Sequence, residues 1–327
     1  MESEPLAKSK VVAFVFCILT APKELVKHYF CLLLLLFMKI SVLGTLHPKS
    51  LPCHLNHLIQ TIVATPPEHT VTVDAQYAHY LQQQNIQVPP HLIGKVGKDT
   101  PTNLLVSIGG DGTFLRAAHL VAGTPAVILG INTGRLGFLA NLSPQEFCFY
   151  WQRILRGEYS TEERSLIQVR TPDGVERFAL NEIAILKRDT ASMISIRTWA
   201  NNHFLATFEG DGLLISTPTG STAYALSANG PIVHPQCPVW DLCPIAPHML
   251  NMRPIVLPDT TCLRMEVTTR TNSYLLSVDG KSIPLKNGTE LVVERCPKQL
   301  RLVEHPEQSY FDTLRLKLMW GQDTRNP

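Results

Sequence analysis

What the chain lacks narrows its class before any motif is considered. None of its eight cysteines stand in a C-x-x-C pair, so zinc spacing and a disulfide framework are both missing. Cys17, Cys31, Cys53, Cys148, Cys237, Cys243, Cys262 and Cys296 are scattered through apolar segments. They read as buried thiols in a reducing, cytoplasmic compartment. An excess of one charge is also missing. The formal net charge of +2 over 327 residues argues against a nucleic-acid partner, which needs a basic face. There is no like-charge block, low-complexity tract or internal repeat. No apolar run reaches the ~20 residues that a membrane-spanning helix needs. Two shorter runs, VVAFVFCILTA at 11–21 and FCLLLLLFM at 30–38, open the chain. They admit a membrane anchor, a signal peptide, or an extension ahead of a true start at Met38. MKISVLG makes a normal first strand and glycine turn, and nothing after Met38 needs the upstream segment. Residues 1–37 are therefore read as an extension, and no stable membrane association is expected.

What is present reads as two kinds of structure. Residues 39–43 make a short buried strand. Leu55, Leu58, Ile59 and Ile62 fall at helical spacing within 51–63. Residues 103–108 are a second apolar strand, 113–121 a helix and 125–131 a third strand. Strand, helix and strand over about 30 residues form a βαβ unit, which implies a parallel sheet covered by helices. After about residue 160 the pattern alternates. SLIQVRT and VERFALNEIAI flank Pro172-Asp173-Gly174 as a hairpin. MISIRTWA and HFLATFE flank Asn201-Asn202, and CLRMEVTT, SYLLSVDG and ELVVERC continue the antiparallel theme. Residues 309–320 return to a mixed pattern that packs back on the first half.

Three stretches carry chemistry. The first strand–helix junction is Gly109-Gly110-Asp111-Gly112-Thr113. Glycines at a strand end let a ligand approach the backbone, and the helix start adds free N–H groups and a favourable dipole. This is an anion site, usually for phosphate. It is neither a Walker loop nor G-x-G-x-x-G. A lone aspartate there makes sense if it meets a bridging Mg²⁺ or takes a proton from an attacking hydroxyl. The residues read equally well as a turn closed by an Asx hydrogen bond. Arg116, one turn into the helix, either reaches the anion or faces water. A second glycine turn, Gly130-Ile131-Asn132-Thr133-Gly134-Arg135-Leu136-Gly137-Phe138, ends the next strand, and the two turns flank one crevice.

The third stretch, GDGLLISTPTGSTAYALSANGPIVHP, runs from 210 to 235. Ser216, Thr217, Thr219, Ser221 and Thr222 gather around Pro218 and Gly220. Hydroxyls and amides without bulk suit a ribose or pyrophosphate, and Tyr224 offers a flat face for an adenine or nicotinamide ring. Asn181-Glu182 interrupts the apolar strand FALNEIAIL. A carboxylate there either takes both hydroxyls of a ribose or faces water at the strand end.

GGDGT at 109–113, the NE pair at 181–182 and DGLLISTPTGSTAY at 211–224, in this order, resemble the NAD kinase family, which phosphorylates NAD to NADP at the expense of ATP. INTGRLGFLA and PIAPHMLNMRP are similar to its bacterial branch. The resemblance implies an α/β plus all-β chain. A Rossmann-like N-terminal domain with the GGDGT turn would span 38–145 and be completed by 305–327. An antiparallel, sandwich-like NAD-binding domain would span 146–304. It implies Asp111 as the general base acting on the 2′-hydroxyl of the adenosine ribose. Gly110 and Gly112 would leave room for phosphates, with Thr113 and Arg116 beside them. Asn181 and Glu182 would hold ribose hydroxyls or adenine, and Asp211 the nicotinamide amide or its ribose. Thr219, Thr222, Ala223, Tyr224 and Ser227 would line the NAD pocket, joined by Ala246 of a neighbouring subunit in a dimer or tetramer. The ligands implied are NAD and ATP with Mg²⁺, with no dedicated protein metal site. Two rival readings share parts of the pattern. A diacylglycerol-type lipid kinase shares GGDGT, and a dinucleotide sensor would bind without turnover.

Overall fold

The computed structural model describes residues 37–45, 52–134, 137–188 and 192–321. Residues 1–36, and the reading of them as an extension, lie outside this range. The first half runs β1 (Lys39–Gly44), α1 (Pro52–Val63), β2 (Thr70–Asp74), α2 (Ala75–Gln83), β3 (Ile93–Gly94), β4 (Leu104–Gly109), α3 (Asp111–Val121), β5 (Val127–Asn132) and α4 (Pro144–Leu155). The second half supplies β6 (Thr161–Arg164), β7 (Ile167–Arg170), β8 (Glu176–Ala179), β9 (Glu182–Lys187), β10 (Ile194–Ala200), β11 (His203–Gly210) and β12 (Gly212–Ser216). A 3₁₀ turn (Thr219–Thr222) and the short α5 (Tyr224–Ser227) follow. The chain closes with β13 (Val239–Ile245), β14 (Ile255–Pro258), β15 (Leu263–Thr268), β16 (Ser273–Val278), β17 (Lys281–Lys286), β18 (Glu290–Arg295), β19 (Leu300–Val303) and α6 (Tyr310–Leu318).

The first sheet has the order β3-β2-β1-β4-β5-β19-β6. It is parallel apart from β6, which pairs antiparallel with β19. The chain moves outward from β1 to β3 and then restarts on the other side at β4. The order therefore reverses between β1 and β4, where open α/β sheets place their ligands, outside the strands' carboxyl ends. Apolar residues cover both faces, with Leu58, Ile59, Phe147 and Trp151 on one and Phe114, Ala117, Ala118 and Leu302 on the other. Ser143 caps α4 reciprocally with Glu146, ahead of Pro144, which fixes where that helix begins. Two antiparallel six-stranded sheets, β11-β10-β15-β18-β7-β8 and β14-β13-β12-β9-β16-β17, pack face to face. Their shared core holds Trp240, Leu242, Tyr274 and Leu276 of one sheet against Ile196, Met265, Val267 and Val293 of the other.

The turns follow from residue types. Asn201 and Asn202 both take positive φ between β10 and β11, and Asp279 and Gly280 do so between β16 and β17. These are the residues that tolerate the left-handed region a two-residue hairpin turn requires. Two elements differ from the sequence expectation. Helix α3 begins at Asp111 rather than Thr113, with Gly110 as its N-cap. The chain's return to the first sheet begins with β19, ahead of the stretch at 309–320. Helix α6 then touches both halves: Lys317 lies over the Phe138 ring, and the Tyr310 hydroxyl donates to Val233 O. Among the described residues no helix is long and apolar enough to cross a membrane.

One buried carboxylate ties the α/β layer to the sandwich. Asp279, its side chain 1 % exposed, accepts from the backbone N–H of Leu180 (2.8 Å), Asn181 (2.8 Å) and Glu182 (3.3 Å). It also meets His119 Nε2 on α3 at 3.0 Å. Removing it leaves these donors buried and unpaired, at a cost of about 2–4 kcal/mol. Asp279→Ala is therefore expected to lower the unfolding free energy obtained from urea titration by that amount, while the exposed-turn control Asp173→Ala stays within about 0.5 kcal/mol of the parent.

Candidate functional site

The two glycine turns meet at Asp111. Its Oδ2 accepts from Phe138 N (3.0 Å), and its Oδ1 accepts from Leu139 N and Ala140 N (3.1 Å each). An ionised carboxylate offers about four acceptor positions, so three amides hold the group still and leave one position on Oδ2. Gly137 makes the arrangement possible, because a Cβ there would stand 2.0 Å from Asp111 Oδ1. Asn132 shapes the second turn from the strand side. Its Oδ1 accepts from Gly134 N (2.7 Å), and its Nδ2 donates to Ala140 O (3.3 Å). Residues 135 and 136 of that turn lie outside the described range.

Beside Asp111 the surface is open. A Cβ added at Gly110 or Gly112 would meet nothing within 4 Å, and both residues are exposed. The packing of the protein does not call for glycine at either place, and the bare backbone faces free space at a helix N-terminus. Thr113 points elsewhere. It is 4 % exposed, and its hydroxyl bonds to that of Thr45. Arg116 is held by the carbonyl at the end of β1, donating from Nη2 to Gly44 O (2.9 Å), so it spans the switch point between β1 and β4.

Asn181 stands just before β9 and Glu182 opens it, and both are buried, at 9 % exposure. Asp279 grips their backbone, and the N–H of Tyr224 reaches the Glu182 carboxylate. Glu182 Oε2 has no partner. Burial first, and then the neighbouring charge of Asp279, push the Glu182 carboxyl up to about 7. A buried acceptor left open at this cost calls for a partner that the chain itself does not supply.

The hydroxyl-rich loop departs from its sequence reading. Thr217 Oγ1 donates to Leu180 O (2.5 Å) and accepts from Gly220 N (3.1 Å). Ser216 Oγ donates to Thr217 O (2.9 Å), and Ser221 Oγ to Pro218 O (2.7 Å) while accepting from Val233 N (3.0 Å). These hydroxyls are buried, and the loop consumes them to hold its own shape. Thr219 is likewise buried, accepting from Arg164 Nη1 (3.3 Å). Gly220 lets the loop press onto the NE strand, since a Cβ there would lie 2.2 Å from Asn181 O. What remains outward is Thr222 and Ala223, half-buried, and Tyr224 and Ser227, exposed. Asp211 lies at the far end of β12, its Oδ1 2.6 Å from Lys187 Nζ. Asp211 N bonds to Ile245 O (2.9 Å), which brings Ala246 beside it. Ala246 is exposed with φ of 43°.

The geometry thus joins Asp111, Gly110, Gly112 and Arg116 at the sheet edge, and Asn181, Glu182 and Tyr224 on the sandwich. Thr113 and Thr219 are drawn into packing. Sequence reasoning passed over Asp279 and His119, and named Asn132 only as part of the second glycine turn. The Asp-Gly pair of SYLLSVDG marked only a turn, and nothing local announces that its carboxylate faces inward.

Comparison with known proteins follows this layout. Residues 98–159 match the family model described as ATP-NAD kinase N-terminal domain, and residues 180–305 the ATP-NAD kinase C-terminal domain. The chain is 41 % identical over 293 residues to an NAD kinase of Porphyromonas gingivalis, covering 88 % of this chain and 99 % of that protein. It is 47 % identical over 226 residues to one of Bacteroides fragilis, covering 68 % and 78 %. Among solved structures, yeast NADH kinase complexed with NADH superposes with a TM-score of 0.79 at 25 % identity, covering 89 % of this chain and 90 % of that one. An Archaeoglobus fulgidus NAD kinase in complex with ATP shares the fold, with a TM-score of 0.65 at 24 % identity, covering 85 % and 99 %.

Because Glu182 binds its proton more tightly folded than unfolded, its ionisation opposes folding as pH rises from about 4.5 through 7. Glu182→Gln is expected to match the parent's stability near pH 4 and to exceed it by about 2–3 kcal/mol at pH 8. Urea unfolding at the two pH values checks this.

Proposed function

The chain belongs to the NAD kinase family, and on that premise we propose that it transfers the γ-phosphoryl group of ATP to the 2′-hydroxyl of the adenosine ribose of NAD. The observation that carries the assignment of roles is the pairing of two carboxylates in opposite settings. Asp111 is pinned by three amides at an open helix N-terminus, and Glu182 is buried with one oxygen unpartnered. Glu182 with Asn181 takes the ribose hydroxyls, and Tyr224, Thr222, Ala223 and Ser227 form the wall beside them. Asp211 and Ala246 receive the nicotinamide end.

The 2′-oxygen attacks the γ-phosphorus as the bond to the β–γ bridging oxygen breaks, and that electron pair leaves with ADP. The hydroxyl proton passes to the remaining acceptor position on Asp111 Oδ2. In a loose transition state the proton leaves late, so most of the rate comes from positioning and charge neutralisation. The N–H groups at the start of α3 supply part of that neutralisation. Among the described residues no three His, Cys, Asp or Glu side chains gather as metal ligands. Mg²⁺ would arrive with the triphosphate, whose oxygens would supply most of its ligands. When bound, the ion neutralises charge on the β- and γ-phosphates.

Family resemblance and one surface feature support a homo-oligomer, dimer or tetramer. Met249, Leu250, Ile255 and Val256 are exposed beside Ala246, and Leu250 is 91 % exposed. They lie on and next to β14, an edge strand. Covering this ridge with a second copy would bring Ala246 of one subunit to the pocket of another. Cys148, Cys237, Cys243, Cys262 and Cys296 are free, in keeping with a cytoplasmic protein.

Full-length protein mixed with NAD, ATP and Mg²⁺ is expected to form NADP, followed with an NADP-specific dehydrogenase. Asp111→Asn should lower kcat by about 10²–10⁴-fold with NAD affinity retained. NAD binding without turnover in the parent would favour a sensor. Leu250→Asp should shift the protein to monomer in sedimentation analysis and weaken NAD binding at least tenfold.

A further inference from the structure

Arg164 is the one lysine or arginine buried among the described residues, at 8 % exposure. It ends β6, the antiparallel edge strand of the first sheet. Long basic side chains are almost never fully buried unless they are paired. Arg164 is paired: its Nη2 meets the carboxylate of Glu162, two residues back on the same side of the strand. That pair alone does not account for the burial. A desolvated ion pair adds little net stability, and the same two residues could meet at the surface.

The other branch of the guanidinium leaves the sheet. Its Nη1 donates to Thr219 Oγ1 at 3.3 Å, in the hydroxyl-rich loop of the sandwich. Thr219 opens the 3₁₀ turn that runs to Thr222, and its carbonyl accepts from Thr222 Oγ1 (3.4 Å). Ala223 N donates back to Gly220 O (2.9 Å). The next residue is Tyr224, whose N–H reaches the Glu182 carboxylate. A short hydrogen-bonded path thus runs from the edge of the α/β sheet to the residue left with an open acceptor. The far side of the loop is tied as well. Ser221 Oγ accepts from Val233 N (3.0 Å), and Val233 O accepts from the Tyr310 hydroxyl on α6 (3.5 Å). An arginine suits the near side. Its planar fork presents separate N–H groups that hold Glu162 and Thr219 at once, whereas an ammonium is a single point on a flexible stem.

We propose that Arg164 is a positioning residue for the acceptor site: from β6 it fixes Thr219, and through the turn that follows it sets the Tyr224 N–H and the carboxylate of Glu182 for the incoming ribose. The buried charge is kept for geometry, and it gives the Glu182 site a second tie to the α/β layer, opposite the one through Asp279 and His119. The proposal rests on the reading of Glu182 as the ribose-binding group, and NAD binding tests it apart from turnover.

Calorimetry gives the Kd for NAD of the full chain, NADP formation gives KM and kcat, and urea unfolding gives stability. The set is the parent, Arg164→Met, Arg164→Lys, Thr219→Val and Arg164→Met/Thr219→Val. Arg164→Met is expected to raise Kd and KM for NAD about tenfold, with kcat and the KM for ATP within about twofold. Thr219→Val removes the same hydrogen bond from its other end and is expected to do the same. The double variant should bind NAD no more weakly than the weaker single variant, because one path is broken in both. Arg164→Lys keeps a charge beside Glu162, so it is expected to recover the parent's urea midpoint without recovering its NAD affinity.

Single-variant losses that multiply in the double variant overturn the proposal. So does an NAD Kd that stays at the parent's value while stability falls, which would make Arg164 a structural ion pair only. Should Arg164→Met fail to fold, Arg164→Lys and Thr219→Val decide the matter, and NAD binding at the parent's level in either one overturns it. A parent that binds NAD but forms no NADP sinks the kinase reading and leaves the role of Arg164 to the Kd values. A parent that does not bind NAD overturns both.

Discussion

The Asp279 carboxylate is the constraint on which the rest of the site depends. It is buried, and it is surrounded by donors from two parts of the molecule: three consecutive amides before and at the start of β9, and the His119 ring on α3. The amides set where Asn181 and Glu182 point. The histidine sets how far α3, and with it Asp111, stands from them. A phosphoryl transfer needs the attacking oxygen and the phosphorus within near-contact distance, and a displacement of one ångström is enough to lose most of the rate. On the proposed assignment, Asp279 is a rigid polar link between the element that would hold the acceptor and the one that would hold the donor.

The same logic explains the hydroxyl-rich loop. Its serines and threonines look in the sequence like a set of ligand contacts. In the structure Ser216, Thr217 and Ser221 satisfy carbonyls and amides of their own segment and of Leu180. Small hydroxyl residues are chosen because they close tight turns and leave no buried polar group unpaired. Gly220 then allows the loop to lie against Asn181 O. The loop delivers the Tyr224 N–H to Glu182 and leaves the Tyr224 ring exposed.

Much of this was legible in the sequence, for reasons that differ by element. The parallel and antiparallel halves were readable because continuous apolar runs and alternation are set by burial on two faces or one. The Asn201-Asn202 turn was readable because few residues accept positive φ. Asp111 stood out because a carboxylate beside phosphate-binding glycines demands a reason. The fate of Thr113 and Thr219 was not readable, since a threonine's hydroxyl serves packing and ligands equally well and only the fold decides. Asp279 was missed for the opposite cause. An Asp-Gly hairpin turn is so well explained by local conformation that nothing in the sequence asks for more. The recruitment of β6 and β19 into the first sheet depends on pairing across more than a hundred residues, which no local pattern encodes.

Glu182 shows what the arrangement costs. Its carboxyl is forced upward by burial and by Asp279, and one oxygen stands without a partner. Replacing it by a neutral residue would relieve the fold, and replacing Asp279 would relieve Glu182. Both losses would fall on ligand geometry. On the proposed assignment, the open oxygen lies where hydroxyls of a bound ribose would supply the missing hydrogen bonds, and binding would return stability that folding alone forgoes. Asp111 sits at the other extreme, fully ordered by three amides before any ligand arrives. One carboxylate waits to be completed and the other is complete except for a single acceptor position. That difference suits a group that recognises the acceptor and a group that takes its proton.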